Sequence, residues 1–283
     1  MTVVGTTKIL GIIGNPVSHS LSPRMHNAAI AYLKLDYVYV PFSVEITELA
    51  TAVKGLGAIA SVVGFNLTIP HKQEIIPLLD QVTEVARAVG AVNTVKRVDG
   101  GWIGTNTDVH GFLVPLKALD RDWQNIPALV LGSGGAAKAA VAGCFELGCP
   151  VVHVIGRDPL KLKEFHLTMA GQLRTHGLRV HTWANIETLL PVAGLVINST
   201  PIGMGNDLGS PLTLPQINLL PQKAIAYDLI YTPRPTKFLQ MAQAQGLIPI
   251  DGLEMLLHQG AIALEFWTGK TAPIAIMAEA LGL

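Results

Sequence analysis

Short runs of apolar, β-branched residues alternate with helix-like segments along all 283 residues of the chain. This alternation is typical of βαβ units, in which parallel strands form a sheet that is covered by helices on both faces. The pattern occurs in two series, which are separated by the polar stretch at 120–125. The sequence therefore predicts an α/β fold with two domains, each long enough to bury a core of its own.

Both series have a regular order of strands and helices. In the first series, strands are predicted at 8–13, 37–42, 60–66, 91–98 and 102–105, and helices at 23–34, 46–57 and 80–89. In the second series, strands are predicted at 128–132, 151–156, 178–182, 194–199 and 224–230, and helices at 135–147, 159–174 and 235–245. The turn residues at 99–101 predict a hairpin before the strand at 102–105. An amphipathic helix capped by Asp251 is predicted over 251–269.

The composition favours a small molecule as the partner. Apolar residues make up 49% of the chain, charged residues only 14%, and the formal net charge is zero, so no basic surface for nucleic acid or an anionic membrane is expected. No apolar stretch suits a signal peptide or a membrane helix. Cys144 and Cys149 are expected to be buried thiols. The sequence thus predicts a soluble, cytoplasmic protein without a nucleic-acid or membrane partner, and it leaves open a monomer or a homodimer.

A glycine-rich loop, GSGGAA, joins the strand at 128–132 to the helix at 135–147. It matches the pattern G-x-G-x-x-A in the context where backbone N–H groups approach a pyrophosphate at a helix N-terminus. The residues expected to bind the phosphates are Gly132, Ser133, Gly134, Gly135 and Ala136. The loop predicts a Rossmann-type dinucleotide-binding domain, and the alternative is merely a tight turn between strand and helix.

The end of the next strand distinguishes NADP from NAD. Arg157 follows the strand at 151–156, and Lys161 comes one helical turn later, so two cations are available for a 2′-phosphate. Asp158 would favour NAD if it bound the ribose 2′-hydroxyl, but Asp158 followed by Pro159 also fits the start of a helix. We prefer the helix cap and predict NADP, with NAD as the alternative.

Four polar clusters lie at or near strand ends of the first series. They are GNPVSHSLSPRMHN (14–27), NLTIPHK (66–72), GAVNT (90–94) and NTD (106–108). Ligands of open α/β sheets bind beyond the carboxyl ends of the strands, so we expect these clusters to converge on one cleft. Their hydroxyl, amide, ammonium and carboxylate groups suit a polyhydroxylated acid as the ligand.

Lys72 and Asp108 are the predicted acid/base couple of this cleft. Each residue alone also has a plain interpretation, Lys72 as a solvated lysine at a helix start and Asp108 as a helix cap. The histidines near the clusters lack the i, i+4 spacing with an acidic partner that zinc hydrolases use. No metal site is therefore predicted.

In this order, the four clusters and the glycine loop resemble the shikimate dehydrogenase family. The resemblance continues through NSTPIGM (198–204), YDLIYTP (227–233) and DGLEMLLHQG (251–260), so it spans nearly the whole chain. It implies reversible, NADPH-dependent reduction of 3-dehydroshikimate to shikimate in the biosynthesis of chorismate and the aromatic amino acids. The alternatives are a quinate/shikimate dehydrogenase that uses NAD and a non-catalytic NADP-binding sensor on the same fold.

The resemblance also implies the roles of individual residues, with Lys72 and Asp108 as the catalytic pair. The implied substrate contacts are Ser20, Ser22, Thr68, Lys72, Asn93, Asp108, Tyr231 and Gln259. The implied cofactor contacts are the glycine loop, Arg157, Lys161, Leu229 and Gly252. Gly156 and Asp158 depart from the family pattern and are expected to weaken the preference for NADP. The implied domains are a substrate domain of 1–108 with 251–283, to which the C-terminal helix returns, and an NADP domain of 109–250.

Overall fold

A computed structural model describes residues 2–173 and 177–283 of the chain, so residue 174 of one predicted helix lies outside the described residues. The strands are β1 (Lys8–Gly14), β2 (Tyr37–Ser43), β3 (Val62–Leu67), β4 (Gln81–Val82), β5 (Thr94–Val98), β6 (Gly101–Thr105), β7 (Ala128–Leu131), β8 (Val152–Gly156), β9 (Leu178–Thr182), β10 (Leu195–Asn198), β11 (Ile225–Asp228) and β12 (Ile248–Ile250). The α-helices are α1 (Ser22–Tyr32), α2 (Leu49–Ala58), α3 (Glu84–Val89), α4 (Asp108–Lys117), α5 (Gly135–Leu147), α6 (Pro159–Leu173), α7 (Ile186–Leu189), α8 (Leu214–Ile217), α9 (Lys237–Ala244), α10 (Leu253–Thr268) and α11 (Ile274–Leu281).

The chain divides into two compact α/β units, as the alternation of strands and helices predicts. The first unit comprises Met1–Gly111 and Leu256–Leu283, and the second comprises Phe112–Met255. Both boundaries fall within helices, one in α4 and the other in α10. The C-terminal segment therefore belongs to the first unit. Among the described helices, none has both the length and the apolar character that crossing a membrane requires.

The first unit is built on a six-stranded, mixed sheet in the order β2-β1-β3-β5-β6-β4. Strand β1 is parallel to both β2 and β3, whereas β5 is antiparallel to β3 and β6. The predicted hairpin is confirmed, because Val98 of β5 pairs with Gly101 of β6 around a turn in which Gly100 has a φ of +90°. Apolar side chains of β1, β3, β5 and β6, among them Phe65 and Trp102, form the core. The predicted polar clusters thus lie at or near the ends of these strands.

The helix predicted at 80–89 is only partly right. The structure has strand β4 at Gln81–Val82, paired with β6, and helix α3 begins at Glu84. The reason is Thr83, whose hydroxyl accepts a hydrogen bond from the backbone N–H of Ala86 at 3.4 Å. Thr83 is in the extended conformation of an N-cap, so the helix cannot begin before it.

The second unit is built on a six-stranded sheet in the order β12-β11-β10-β7-β8-β9, with every neighbouring pair parallel. Its central strands are continuous apolar runs such as ALVL, as expected for a parallel sheet that is buried on both faces. The strand order reverses between β7 and β10, which is where ligands of doubly wound sheets bind. Strand β12 and the short helices α7 and α8 were not predicted, nor was α11 of the first unit. Strand β12 is a three-residue edge strand containing Pro249.

Candidate active site

Lys72 and Asp108 form a buried ion pair in the first unit. Lys72 lies in the segment after β3, Asp108 is the first residue of α4, and the distance from Nζ to Oδ2 is 2.6 Å. The two side chains are only 15% and 6% exposed. A carboxylate removed from water is costly unless it is paired and hydrogen-bonded, so the ammonium group compensates the charge of Asp108. The pair places an ammonium group beside a fixed negative charge.

Asn106 holds Asp108 at the helix start. Its Oδ1 accepts hydrogen bonds from the backbone N–H groups of Asp108 at 3.0 Å and Val109 at 3.3 Å, and its Nδ2 donates to the Ala91 carbonyl at 2.9 Å. Asn106 therefore takes the role of helix cap that the plain interpretation of the sequence gave to Asp108. The carboxylate of Asp108 is left available for other partners.

A cluster of amides and hydroxyls surrounds the same carboxylate. Asn93 Nδ2 donates to Asp108 Oδ1 at 2.8 Å, and it lies 2.9 Å from Thr107 Oγ1 and 3.3 Å from Gln259 Oε1. The backbone N–H of Thr107 donates to Asn93 Oδ1 at 2.8 Å. Gln259 reaches this cluster from α10, whose C-terminal part belongs to the first unit. The structure therefore brings together four predicted site residues, Lys72, Asn93, Asp108 and Gln259.

Ser20, Ser22 and Thr68 lie on the loops after β1 and β3, two neighbouring parallel strands. Ser22 is buried at the start of α1, and its backbone N–H donates to Ser20 Oγ at 3.3 Å. Thr68 donates its backbone N–H to the Ile13 carbonyl at 2.9 Å, and the Asn15 N–H donates to the Ile69 carbonyl at 3.0 Å. These backbone bonds tie the two loops together at one end of the sheet, as the strand-end rule predicts.

The glycine loop of the second unit joins β7 to the N-terminus of α5. Gly132 has a φ of +106°, and a Cβ at this position would lie 2.8 Å from Ser199 Oγ, at the start of the loop after β10. Gly134 precedes α5 without a side-chain cap, and a Cβ built on it meets no atom within 4 Å. There is thus open space beside Gly134 at the helix N-terminus, whose first N–H groups have no acceptor within the helix, and this arrangement fits the phosphates of NADP.

Arg157, Asp158 and Lys161 are exposed after β8. Asp158 Oδ1 accepts hydrogen bonds from the backbone N–H groups of Leu160 at 2.9 Å and Lys161 at 3.3 Å, which is the geometry of a helix cap. Within the described part of the chain, the side chains of Arg157 and Lys161 have no hydrogen-bond or ion-pair partner. Two uncompensated cations at this position fit a 2′-phosphate, and the cap accounts for the nearby acidic residue.

Leu229 and Gly252 lie side by side in the second unit. The Gly252 N–H donates to the Ile230 carbonyl at 3.2 Å, and a Cβ at position 252 would clash with the carbonyl group of Leu229. Only glycine permits this close approach of two backbone segments. Tyr231 follows in the second unit, whereas the other expected substrate contacts belong to the first.

Sequence analysis missed a buried carboxylate in the second unit. Asp228, at the end of β11, accepts hydrogen bonds from Asn198 Nδ2 at 3.0 Å, the Ile230 N–H at 3.1 Å and Thr236 Oγ1 at 2.7 Å. Burial raises the pKa of Asp228 from 3.8 to about 6, while these hydrogen bonds act in the opposite direction. The available signal was an aspartate at the end of an otherwise apolar strand. The cluster joins the loops after β10 and β11.

Metal ligands are not assembled anywhere in residues 2–173 and 177–283, since no three His, Cys, Asp or Glu side chains come together there. What the described residues do assemble is a glycine loop at a helix N-terminus on a parallel sheet in one unit and a lysine–aspartate pair among amides in the other. This combination defines the class of two-domain, dinucleotide-dependent oxidoreductases.

Comparisons with known proteins agree with this class. Residues 12–95 match the family model "Shikimate dehydrogenase substrate binding domain", and residues 252–281 match "Shikimate 5'-dehydrogenase C-terminal domain". The chain is 55% identical over 283 residues to the shikimate dehydrogenase (NADP(+)) of Microcystis aeruginosa, with 99% of each chain covered. It belongs to the shikimate dehydrogenase family.

Solved structures show the same fold. A shikimate dehydrogenase in complex with NADP+ is 34% identical with a TM-score of 0.89, and the match covers 99% of this chain and 96% of that one. The Thermus thermophilus shikimate 5-dehydrogenase in complex with NADP(H) and shikimate is 36% identical with a TM-score of 0.83, over 98% of this chain and 99% of that one. Both relatives are similar to this chain along nearly its full length.

Proposed function

We propose that this protein is an NADP-dependent shikimate dehydrogenase, which reversibly reduces 3-dehydroshikimate to shikimate. The observation that carries the proposal is the buried Lys72–Asp108 ion pair, with Nζ 2.6 Å from Oδ2, in a family whose relatives carry this activity in their names. The proposal assigns the substrate to the first unit and NADP to the second.

The substrate is a carboxylate that carries several hydroxyl groups. Ser20 and Ser22 bind its carboxylate through their hydroxyls, and their tied loop geometry supports this role. Thr68, Asn93 and Gln259 bind the ring hydroxyls, and Tyr231 is the further substrate contact that the family resemblance implies. Buried amides and hydroxyls select such a substrate because an analogue that lacks one hydroxyl leaves a polar group of the protein unpaired.

Lys72 moves the proton of the reaction. Its Nζ donates a proton to the substrate's carbonyl oxygen during reduction and takes a proton from the hydroxyl during oxidation. Asp108 holds the ammonium group through Oδ2 while its Oδ1 is held by Asn93, so the carboxylate orients Nζ. When bound, the cofactor supplies the hydride for the substrate carbon that bears the reacting oxygen.

The second unit binds NADP through two separate features. Gly132, Ser133, Gly134, Gly135 and Ala136 hold the pyrophosphate at the N-terminus of α5, and Gly252 and Leu229 contribute backbone near the nicotinamide. Arg157 and Lys161 bind the 2′-phosphate, which supports NADP over NAD. The buried free thiols of Cys144 and Cys149 suit a reducing compartment, so we place the enzyme in the cytoplasm, as a monomer or a homodimer.

Turnover of shikimate and of quinate, each with NADP+ and with NAD+, tests the proposed function. The pair of shikimate and NADP+ is expected to give the highest kcat/KM of the four. Highest turnover of quinate with NAD+ would show a quinate dehydrogenase instead. Tight NADP+ binding, measured by calorimetry, without turnover of either acid would identify a non-catalytic NADP sensor.

A further inference from the structure

His26 and Asn27 belong to the cluster at 14–27 but have no role in the proposed reaction, and both of them contact Tyr39. Asn27 forms a pair of hydrogen bonds with the backbone of this tyrosine, from Nδ2 to the Tyr39 carbonyl at 2.8 Å and from the Tyr39 N–H to Oδ1 at 2.9 Å. The ring of His26 stacks on the ring of Tyr39, with centroids 4.3 Å apart and an interplanar angle of 16°. Tyr39 is 1% exposed, so it is fixed deep in the first unit.

Tyr39 begins a chain of hydrogen bonds that ends at the carboxylate of Asp108. We call it the donor chain, and its steps are Tyr39 Oη to Asn66 Oδ1 (2.6 Å), Asn66 Nδ2 to Thr94 Oγ1 (2.9 Å), Thr94 Oγ1 to Asn93 Oδ1 (3.1 Å) and Asn93 Nδ2 to Asp108 Oδ1 (2.8 Å). All five residues are buried, with at most 5% of each exposed. The chain crosses from β2 through β3 and β5 to the start of α4.

Backbone groups fix the orientation of both asparagine side chains. Asn66 Nδ2 also lies 3.1 Å from the carbonyl of Asn93, which can only accept, so this end of the side chain is the NH₂ group. Asn66 Oδ1 must therefore accept from the Tyr39 hydroxyl. Asn93 Oδ1 accepts from the Thr107 N–H at 2.8 Å, so its Nδ2 is the end that faces Asp108. Thr94 accepts from Asn66 and donates to Asn93 Oδ1 at 3.1 Å, which is shorter than its 3.5 Å distance to Thr107 Oγ1.

We propose that Tyr39 is a positioning residue for Asp108, which it orients through the donor chain. Each donor polarises the next one in a chain that points one way, and a low-dielectric interior strengthens the effect. The last donor holds Asp108 Oδ1, which leaves Oδ2 directed at Lys72 Nζ. The inference rests on the proposed function, since that function makes Lys72 the proton carrier.

Tyr39→Phe tests this inference because it removes only the hydroxyl that starts the chain and keeps the ring that stacks on His26. We expect kcat with shikimate and NADP+ to fall about 3- to 10-fold, the effect of one lost hydrogen bond that orients a reacting group. The KM for shikimate is expected to change less than about 2-fold, because Tyr39 acts on proton transfer and not on substrate binding. A merely structural role would lower the melting temperature and leave kcat per folded enzyme unchanged.

Tyr227→Phe is the matched control. The Tyr227 hydroxyl is also buried, lies in the second unit, and has no hydrogen-bond partner among the described residues. Tyr227→Phe also removes one buried tyrosine hydroxyl, but it does not interrupt the donor chain. The kcat should therefore stay within about 2-fold of the wild type. An equal loss of kcat in both variants would overturn the inference.

Thr94→Val interrupts the donor chain at its centre with a side chain of nearly the same shape. It should lower kcat by a similar factor, and the double variant with Tyr39→Phe should be no worse than the more damaged single variant, because the chain is already broken. Losses that multiply would show two independent effects and would overturn the inference. If Tyr39→Phe fails to fold, a wild-type kcat in Thr94→Val overturns it equally.

Wild-type turnover is measured first and decides the proposed function alone. An active wild type with an equally active Tyr39→Phe rejects the donor chain and leaves the proposed function intact. A wild type that turns over neither shikimate nor quinate rejects both.

Discussion

Two buried aspartates, one in each unit, show how differently the same side chain is used at the end of a strand. Asp108 and Asp228 both accept a hydrogen bond from an asparagine side chain, Asn93 in the first unit and Asn198 in the second. Asp108 also has the ammonium group of Lys72 at 2.6 Å, whereas the side-chain partners of Asp228 are neutral donors. The difference teaches that a strand-end carboxylate becomes a candidate for proton chemistry when a cation accompanies it, and otherwise organises loops.

The two units also differ in how they prepare a ligand site. The first unit gathers side chains, since its donor chain and ion pair connect residues of β2, β3, β5 and α4 with Lys72 of the segment after β3. The second unit relies on backbone, since Gly132, Gly134 and Gly252 are positions where a Cβ would fill space or clash. In the proposed function, the side-chain site recognises the pattern of substrate hydroxyls, and the backbone site binds the pyrophosphate, which NAD and NADP share.

Lys72→Ala removes the cation that distinguishes Asp108 from Asp228, and it should have the largest effect on kcat. It leaves Asp108 buried without a cation and the substrate without its proton carrier, so kcat should fall about 10²- to 10⁴-fold while the Kd for NADP+ stays unchanged. Steady-state kinetics and calorimetry measure the two quantities. Lys117→Ala is the control, because its ion pair with Glu146 is exposed and has an N–O distance of 3.1 Å. Wild-type turnover of Lys72→Ala would remove Lys72 from the mechanism.

The first unit also contains a buried base that should make it sensitive to acid. Burial lowers the pKa of His26 from 6.5 to about 3, so the folded protein keeps this ring neutral while the unfolded chain binds a proton below pH 6.5. The contribution of His26 to stability is complete above pH 6.5 and is lost as the pH falls, by up to about 1.4 kcal/mol per pH unit.

Urea unfolding of the wild type and of His26→Phe, at several pH values between 6.5 and 4, measures this term. Phe keeps the stacking on Tyr39 and does not titrate, so the free energy of unfolding of this variant should fall less steeply with acid. Parallel pH profiles of the two proteins would mean that His26 is protonated in the folded state.

Asp228 of the second unit should act in the opposite direction and more weakly. Its pKa of about 6 in the folded state lies above the unfolded value of 3.8, so the folded protein binds the extra proton between these pH values. Stability therefore falls as the pH rises from 3.8 to 6, by roughly 3 kcal/mol in total. Asp228→Asn keeps an acceptor for Asn198 and Ile230 and should abolish this slope in urea unfolding. A variant that retains the slope would place its origin elsewhere.

How far the sequence predicts this molecule depends on how local each signal is. The glycine loop and the strands of the second unit are recognisable within short windows, and the strand-end rule led to the expectation that Lys72 and Asp108 meet. The helix predicted at 80–89 was only partly right, because the hydroxyl of Thr83 caps the helix and decides where it begins. Tyr39 was read only as a strand residue, because its role depends on partners from β3 and α1 that no local pattern reveals. Asp228 was not predicted as a functional residue for the same reason.

The smallest predicted effect concerns the acidic residue beside the cations of the second unit. Asp158→Asn keeps the oxygen that caps α6 and removes the negative charge next to Arg157, so the Kd for NADP+ should fall about 2- to 5-fold while the Kd for NAD+ stays the same. Calorimetric titration of both cofactors measures the change. Asp122→Asn is the matched control, because Asp122 also accepts a backbone N–H, from Gln124 at 3.2 Å, at the start of a short helical turn. Weaker binding of NAD+ to Asp158→Asn would show that this carboxylate binds the ribose hydroxyl. Arg157 and Lys161, which lack the ion-pair partner that Lys72 has in the first unit, would then no longer explain the choice of cofactor.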